Sequence, residues 1–258
     1  MSIVFGHRDV GGDRILVSPR VAIVIPSKDE AESLGELLNE ISTALAGDDF
    51  EVIVVDDGSS DGTVGVLKKS AERHPFLRCL VHAQSCGKSA AILTGVRAAR
   101  APLIATLDGD GQNDPRFLPA LLALLDEPGV GLVAGQRIKH AHSQAKRIGS
   151  RLANRLRAAL LHDNTNDTAC GLKAFRREVF LRLPYFDTMH RFLPALVRHD
   201  GLAVRHLDVT DRARRHGRSK YGILDRAMVG LVDLIGVRWL IKRGKPATEA
   251  KEVFVKTN

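Results

Sequence analysis

The stretch that decides the fold is ATLDGDGQNDP, residues 105–115. It ends the apolar run Leu103–Leu107 with two aspartates, Asp108 and Asp110, separated by one glycine. If the run is a strand, it carries both carboxylates to the carboxyl end of a sheet, where open α/β sheets bind ligands. Two carboxylates this close repel each other unless a cation lies between them, and oxygen ligands suit Mg²⁺ or Mn²⁺. The stretch therefore predicts a metal site that also serves substrate phosphates.

The same residues have two other interpretations, a solvated turn and a calcium-binding loop. The calcium pattern fails, because its sixth position requires Gly and holds Asn113, and its twelfth requires Glu and holds Pro119. The solvated turn stays open on this stretch alone. The pair Asp114-Pro115 predicts that a helix begins here, since an N-cap residue precedes Pro at the first helical position.

Short β-branched runs alternate with segments of helical periodicity through the first half of the chain. The predicted strands are 21–25, 51–55, 77–81, 103–107 and 130–134, and the predicted helices are 30–46, 63–73, 87–99 and 115–125. This alternation is typical of an α/β fold with a Rossmann-like, mostly parallel sheet flanked by helices. Three acidic loops, 27–32, 56–61 and 108–114, should then converge at the carboxyl ends of the strands.

The second half of the chain has a different character. Its predicted elements are a basic helix at 144–161, strands at 171–175 and 204–209, helices at 177–183 and 189–199, and a basic loop at 211–221. The apolar segment 223–241 is interrupted by four charged residues, which argues against a membrane-spanning helix. With Trp239 near its end, it is either an amphipathic helix at a membrane interface or one packed on the domain.

Composition limits the class of protein. A chain of 258 residues, 44% of them hydrophobic, suits one sizeable globular domain. The first twenty residues are too charged for a secretory signal, and three scattered cysteines suggest a reducing compartment and no zinc site. We predict an N-terminal extension (1–20), a main domain (21–221), and an amphipathic segment with a polar tail (222–258).

Charge is distributed unevenly along the chain. Residues 1–136 hold 12 Lys and Arg against 19 Asp and Glu, a net charge of −7, whereas residues 137–243 hold 23 against 9, a net charge of +14. A basic surface of this kind can serve nucleic acid, anionic lipid or a phosphorylated substrate, or be merely solvated. Aromatic residues for base stacking are few, at 5%, and no recognition motif is visible, so we expect no nucleic-acid partner.

Several motifs in order resemble a known family. Those of the first half are Val21–Glu32, Val54–Thr63, Gly87–Ala99 and Asp108–Pro115, and they resemble glycosyltransferase family 2, of the GT-A fold. Those of the second half are Asp167–Phe175, His190–Phe192 and Gly217–Tyr221, and they resemble the dolichol-phosphate mannosyltransferase branch, which makes polyprenyl-phosphate sugars. The resemblance covers about residues 20–240.

The resemblance implies a donor site for a nucleotide sugar. The residues it places around the nucleoside and its phosphates are Pro26, Lys28, Glu30, Asp57, Lys88, Asp108 and Gln112. The metal ligands it implies are Asp108, Asp110 and Gln112, holding Mg²⁺ or Mn²⁺ against the leaving diphosphate. The Gly87-Lys88 pair is not a P-loop, because His82 stands where that motif needs Gly. Alternatives are helix capping for Asp57 and a plain surface position for Lys88.

The resemblance also implies an acceptor site for a lipid phosphate. The cations and hydroxyl it assigns to that phosphate are Arg137, Arg212, Arg214, Ser219 and Lys220. Asp167 would act with Asp108 and Asp110 as a catalytic acidic residue that orients acceptor or sugar, unless it only caps a turn. A polyprenyl phosphate lies in an anionic membrane surface, which attracts lysines and arginines.

The resemblance implies an inverting, metal-dependent glycosyltransferase that moves one sugar from GDP-mannose or a UDP-sugar to a polyprenyl phosphate. We expect the protein to be cytoplasmic and to bind peripherally to anionic lipid at the cytoplasmic face of the membrane. A small integral membrane protein is a further expected partner. A family 2 enzyme with a soluble or polysaccharide acceptor is the first alternative, and a non-enzymatic nucleic-acid-binding protein is the second. The residues Ser27-Lys28-Asp29 differ from those that many relatives have at these positions. The sequence therefore leaves open which base the donor nucleotide carries.

Overall fold

The computed structural model describes residues 18–138, 157, 160–161, 163–212 and 223–244, with side chains in the last helix from residue 232 onward and at 230. The predictions for 1–17, most of 144–161, and the loop 213–221 lie outside the described residues. So do Arg214, Ser219 and Lys220, and the tail from residue 245.

Seven strands form one mixed sheet. They are β1 Val21–Ser27, β2 Phe50–Asp56, β3 Leu77–Val81, β4 Leu103–Thr106, β5 Val130–Arg137, β6 Lys173–Arg176 and β7 Ala203–Val209. Their order across the sheet is β3-β2-β1-β4-β6-β5-β7. The pairs β1–β2, β1–β4, β2–β3 and β5–β7 are parallel, and only β6 runs antiparallel to its neighbours β4 and β5. The predicted mostly parallel sheet is confirmed.

Helices cover both faces of this sheet. They are α1 Ala31–Ala44, α2 Thr63–Ala71, α3 Lys88–Ala98, α4 Leu118–Leu125, α5 Arg177–Arg182, α6 Leu193–His199 and α7 Ile223–Arg243, with 3₁₀ turns at Pro115–Phe117 and Met189–Arg191. Side chains alternate along β1, so that Val21, Ile23 and Ile25 pack with α1 and α4 while Ala22 and Val24 pack with α3. A strand buried on both faces reads as a continuous apolar run, as β1 does.

The antiparallel strand β6 sets the position of the site. Lys173, its first residue, pairs with Thr106 at the end of β4 and with Ala134 near the end of β5. The turn that precedes β6 therefore lies where its two neighbouring strands finish. The sequence predicts a strand here, but nothing in its pattern shows this direction.

The last helix, α7, packs by one face only. Leu234 and Val237 are buried against a cluster that includes Leu161, Phe192 and Leu196. On the other side, Val232, Ile235 and Trp239 are 66%, 64% and 61% exposed. Within the described ranges, none of the helices is long and apolar enough to cross a bilayer.

Candidate active site

Asp108 follows β4 and is held from several sides. Lys88 Nζ, at the start of α3, donates to the Asp108 carboxylate. The backbone N–H of Asp108 donates to Asn113 Oδ1 at 3.0 Å. Gly171, in the turn before β6, packs against the carboxylate so closely that a Cβ there would overlap its oxygens. The carboxylate of Asp108 is therefore fixed in place and remains partly exposed.

Glu30 brings a third carboxyl group to the same place. Burial, together with the negative charges of Asp110 and Asp108, raises the pKa of Glu30 to about 7. Its Oε2 is buried with no hydrogen-bond partner among the described residues. A Cβ at Gly109 would overlap this oxygen, so the glycine is what lets Glu30 and the loop approach each other. Carboxyl oxygens are the ligand type that a hard divalent cation prefers, so the chemistry of these three side chains suits such an ion.

The loop from Asp108 to Asp114 has a defined shape. Gln112 N donates to Asp110 Oδ1 at 3.1 Å, and Asp114 Oδ1 accepts from Arg116 N at 3.0 Å. The second bond is the predicted N-cap, followed by Pro115 at the first helical position. These bonds give a defined shape to the loop that carries Asp108, Asp110 and Gln112.

Asp57 follows β2 and organises the turn before α3. Its carboxylate accepts from His82 Nδ1 (2.7 Å), Ser85 Oγ (2.7 Å) and the backbone N–H groups of Cys86 (2.8 Å) and Gly87 (2.9 Å). Burial alone would raise its pKa, but these donors outweigh burial and the pKa of Asp57 lies below its usual value. Four donors occupy the lone pairs of both oxygens. Asp57 therefore holds the turn before α3 in its shape.

The side chains of Asp57, His82 and Cys86 also place three potential metal-ligand atoms within 4.8 Å of one another. We assign them to the hydrogen-bonded network instead. His82 Nδ1 lies 2.7 Å from Asp57 Oδ1, which is a hydrogen-bond distance, whereas two ligands on one Zn²⁺ at ~2.0 Å each would stand farther apart. Asp57 makes no bond to α2, the role considered as its alternative, whereas Asp61 Oδ1 accepts from the backbone N–H of Thr63, the first residue of that helix, at 2.9 Å.

The remaining donor-site predictions differ in exposure. Pro26 is buried within β1, and Lys28 is exposed just after it. Gln112 is half-buried, and its carbonyl accepts from Arg212 N at 2.8 Å.

On the acceptor side, Arg137 ends β5 and grips Asp167. Its Nε and Nη2 lie 2.6 Å and 2.9 Å from the two oxygens of Asp167, and its Nη1 lies 3.2 Å from Asp211 Oδ2. Burial opposes the charge of Asp167, but this pairing keeps its pKa below the usual value. Arg212 is paired as well, with both oxygens of Glu40 and with Asp114. Two of the predicted phosphate-binding arginines thus already hold carboxylates.

Two buried residues lie inside motifs quoted in the sequence analysis, which gave neither of them a role. Lys173 is fully buried, and burial lowers its pKa to about 8. Its Nζ donates to the carbonyl oxygens of Cys170 and Thr168, which ties the turn that carries Gly171. A lysine inside the apolar run GLKAF was the signal available. His190 pairs with Ser89 Oγ at 2.7 Å, and burial together with Lys88 and Lys173 keeps its pKa well below the usual value.

Comparison with known proteins decides the family. Residues 22–183 match the family described as Glycosyl transferase family 2. The chain belongs to glycosyl transferase family 2. This family 2 chain is 32% identical over 231 residues to a dodecaprenyl-phosphate galacturonate synthase of Rhizobium johnstonii, covering 87% of this chain and 68% of that protein. It is also 32% identical to an undecaprenyl-phosphate 4-deoxy-4-formamido-L-arabinose transferase of Edwardsiella ictaluri, over 79% of this chain and 63% of the relative.

Solved structures of another enzyme share the fold of this chain. A glucosyl-3-phosphoglycerate synthase of Mycobacterium tuberculosis, crystallised with Mn²⁺, UDP and glucosyl-3-phosphoglycerate, superimposes with a TM-score of 0.67 at 23% identity, over 89% of this chain and 82% of that one. The same enzyme with Mg²⁺ and UDP gives a TM-score of 0.65 at 22% identity, over 89% and 81% of the two chains. The predicted GT-A fold is confirmed. The curated relatives are longer, since the chain spans about two thirds of their length.

Proposed function

We propose that this family 2 protein transfers one sugar from a nucleotide-sugar donor to a polyprenyl phosphate, with a divalent metal ion at the loop after β4. The observation that carries the proposal is the loop after β4, where the carboxylates of Asp108 and Asp110 lie close enough to the buried carboxyl group of Glu30 for their negative charges to raise its pKa. Support for the acceptor comes from the two relatives, both named as enzymes that act on polyprenyl phosphates.

Asp108, Asp110 and Gln112 would hold Mg²⁺ or Mn²⁺, which acts as a Lewis acid on the departing diphosphate. The protein itself adds Lys88, whose ammonium group stands at the N-terminus of α3 beside Asp108. Helix N-termini and ammonium groups both favour phosphate oxygens. Lys88 can therefore exchange its contact with Asp108 for one with the diphosphate as negative charge grows there.

The acceptor phosphate is already anionic at pH 7, so the reaction needs no strong general base. A phosphate oxygen attacks the anomeric carbon while the bond from that carbon to the diphosphate oxygen breaks, and the configuration inverts. Arg137 would orient this phosphate, since a guanidinium grips phosphate oxygens bidentately. Asp167 holds Arg137 in position, because its two oxygens accept hydrogen bonds from Nε and Nη2 at a buried position.

Contact with the membrane would come through α7. The exposed side chains Val232, Ile235 and Trp239 form an apolar stripe, and Arg238, Lys242 and Arg243 lie beside it. Apolar residues with Trp and flanking cations are typical of helices that lie in the headgroup region. We propose peripheral binding at the cytoplasmic face, where each Lys or Arg near anionic lipid contributes ~1 kcal/mol. A small integral membrane partner is compatible with this arrangement.

Product analysis tests the proposal. The full chain is incubated with Mn²⁺, undecaprenyl phosphate and, in turn, UDP-galacturonic acid, UDP-glucose, UDP-N-acetylglucosamine and GDP-mannose, and lipid products are identified by mass spectrometry. We expect a polyprenyl-phosphate sugar with one donor and none after chelation of the metal. Transfer only to a water-soluble acceptor such as 3-phosphoglycerate would contradict the lipid acceptor and leave the donor site standing.

A further inference from the structure

The loop Asp108–Asp114 is fastened to the chain just after β7. Asn113 forms an antiparallel bridge with Asp211, and Arg212 N donates to the carbonyl of Gln112 at 2.8 Å. These bonds join the loop that would hold the metal to the residues that lead from β7.

Asn113 is the centre of this junction. It is 3% exposed, and both ends of its amide are used. Its Oδ1 accepts from Asp108 N at 3.0 Å, and its Nδ2 donates to Asp211 Oδ1 at 3.2 Å. One buried side chain thus links the backbone of Asp108 to the carboxylate of Asp211.

Asp211 continues the connection to the acceptor side. Its second oxygen accepts from Arg137 Nη1 at 3.2 Å, which is longer than the 2.6 Å and 2.9 Å contacts between Arg137 and Asp167. Asp211 is the weaker partner of this arginine, so an incoming anion displaces Asp211 before it displaces Asp167. The displaced carboxylate then has only Asn113 as its side-chain donor among the described residues.

We propose that Asn113 is a positioning residue that couples the acceptor-phosphate site at Arg137 to the metal site at Asp108. The proposal rests on the proposed function and adds a mechanism of communication to it. A carboxylate that loses its arginine becomes a stronger acceptor for Asn113, and the amide then holds the backbone of Asp108 more firmly. Binding of a phosphate at Arg137 therefore strengthens metal binding at Asp108 and Asp110, and by linkage the metal strengthens phosphate binding by the same factor.

Manganese affinity measures this coupling directly. Electron paramagnetic resonance gives the Kd of Mn²⁺ for the full chain with and without farnesyl phosphate, with farnesol as the control for the lipid tail. We expect farnesyl phosphate to lower the Kd of the unaltered protein about five-fold or more, within the usual range of allosteric coupling. N113A should abolish this change. D211N, at a more exposed position, should reduce it in the same way and covers the case in which N113A does not fold.

E127Q is the matched control, because Glu127 lies in the turn before β5, pairs with Arg205 of β7 at the surface, and should leave the coupling intact when it is changed. The relay alone would be overturned if both folded variants, N113A and D211N, kept the effect of farnesyl phosphate on the Kd of Mn²⁺. It would also be overturned if the unaltered protein transferred sugar to lipid phosphate but showed no such effect. Failure of the unaltered protein to use any polyprenyl phosphate would overturn the proposed function, and the relay with it. A loss of kcat with unchanged Mn²⁺ coupling would show that Asn113 has a structural role only.

Discussion

Gly171 lies against the carboxylate of Asp108, with no room between them for even one methyl group. Thr106 Oγ1 donates to the carbonyl of Gly171 at 2.7 Å and holds the contact in place. The contact exists because β6 runs antiparallel to β4, so the turn that precedes one strand meets the loop that follows the other. The position of the Asp108 carboxylate therefore depends on a residue 63 positions away in sequence.

Gly171→Ala should move the Asp108 carboxylate and lower kcat/KM by on the order of 10²-fold, since a displacement of ~1 Å has that effect at a reacting centre. The measurement is steady-state transfer together with thermal unfolding. Gly65→Ala on α2 is the matched control, because nothing lies within 4 Å of the added Cβ. That control should keep full activity and gain ~0.5–1 kcal/mol from higher helix propensity. Equal activities of the two variants would contradict the importance of the contact.

Asp110→Asn keeps the shape of the side chain and removes its charge. We expect a loss of turnover of about 10²-fold or more, with a weaker Mn²⁺ affinity, because removing one preorganised electrostatic group at a reacting centre typically has that effect. Thermal stability should not fall, because three carboxyl groups repel one another when no cation is bound. E127Q serves as the matched carboxylate-to-amide control on the surface. A folded D110N protein with full activity would refute the metal assignment.

The sequence predicted the strands and helices of the first half closely, because each is a local pattern. The run VAIVI became β1, and the apolar spacing of Leu34, Leu37, Leu38 and Ile41 became the buried face of α1. The Asp108–Asp114 loop was recognisable because its carboxylates and glycines are adjacent in the chain.

Contacts between distant residues could not be predicted in this way. The direction of β6 depends on pairing with β4 and β5, and that pairing also buries Lys173. The partners of Arg137 and Arg212 are likewise remote in sequence. The family resemblance assigned both arginines to the acceptor phosphate but gave no sign that carboxylates already hold them. Asn113 escaped notice because its role lies in two hydrogen bonds that only the folded chain makes.

Lys173 predicts a pH dependence of stability. Its pKa falls from an ordinary value near 10.5 to about 8 in the folded protein, because burial disfavours the charged form. Between these two values the unfolded chain binds more protons than the folded one, so this lysine makes stability rise with pH over that window. The contribution is of order 3 kcal/mol across the window. Urea unfolding of the unaltered protein and of Lys173→Met at pH 7.5 and 10 measures this contribution. We expect the free energy of unfolding to rise more steeply with pH in the unaltered protein than in the variant. Parallel slopes would contradict the lowered pKa.

The exposed stripe on α7 predicts binding to anionic vesicles. The triple variant V232S/I235S/W239S removes apolar side chains that are more than half exposed, so it should fold with little change in stability. Full burial of one such side chain contributes ~1.5–3 kcal/mol, and even partial insertion of three should weaken membrane binding by more than ten-fold when they are removed. Co-sedimentation with phosphatidylglycerol vesicles measures this, with phosphatidylcholine vesicles reporting on the charge requirement. Leu181→Ser, an exposed apolar position on α5, is the control and should bind as the unaltered protein does. If the triple variant sedimented with vesicles as the unaltered protein does, the exposed stripe of α7 would not be the surface that contacts the membrane.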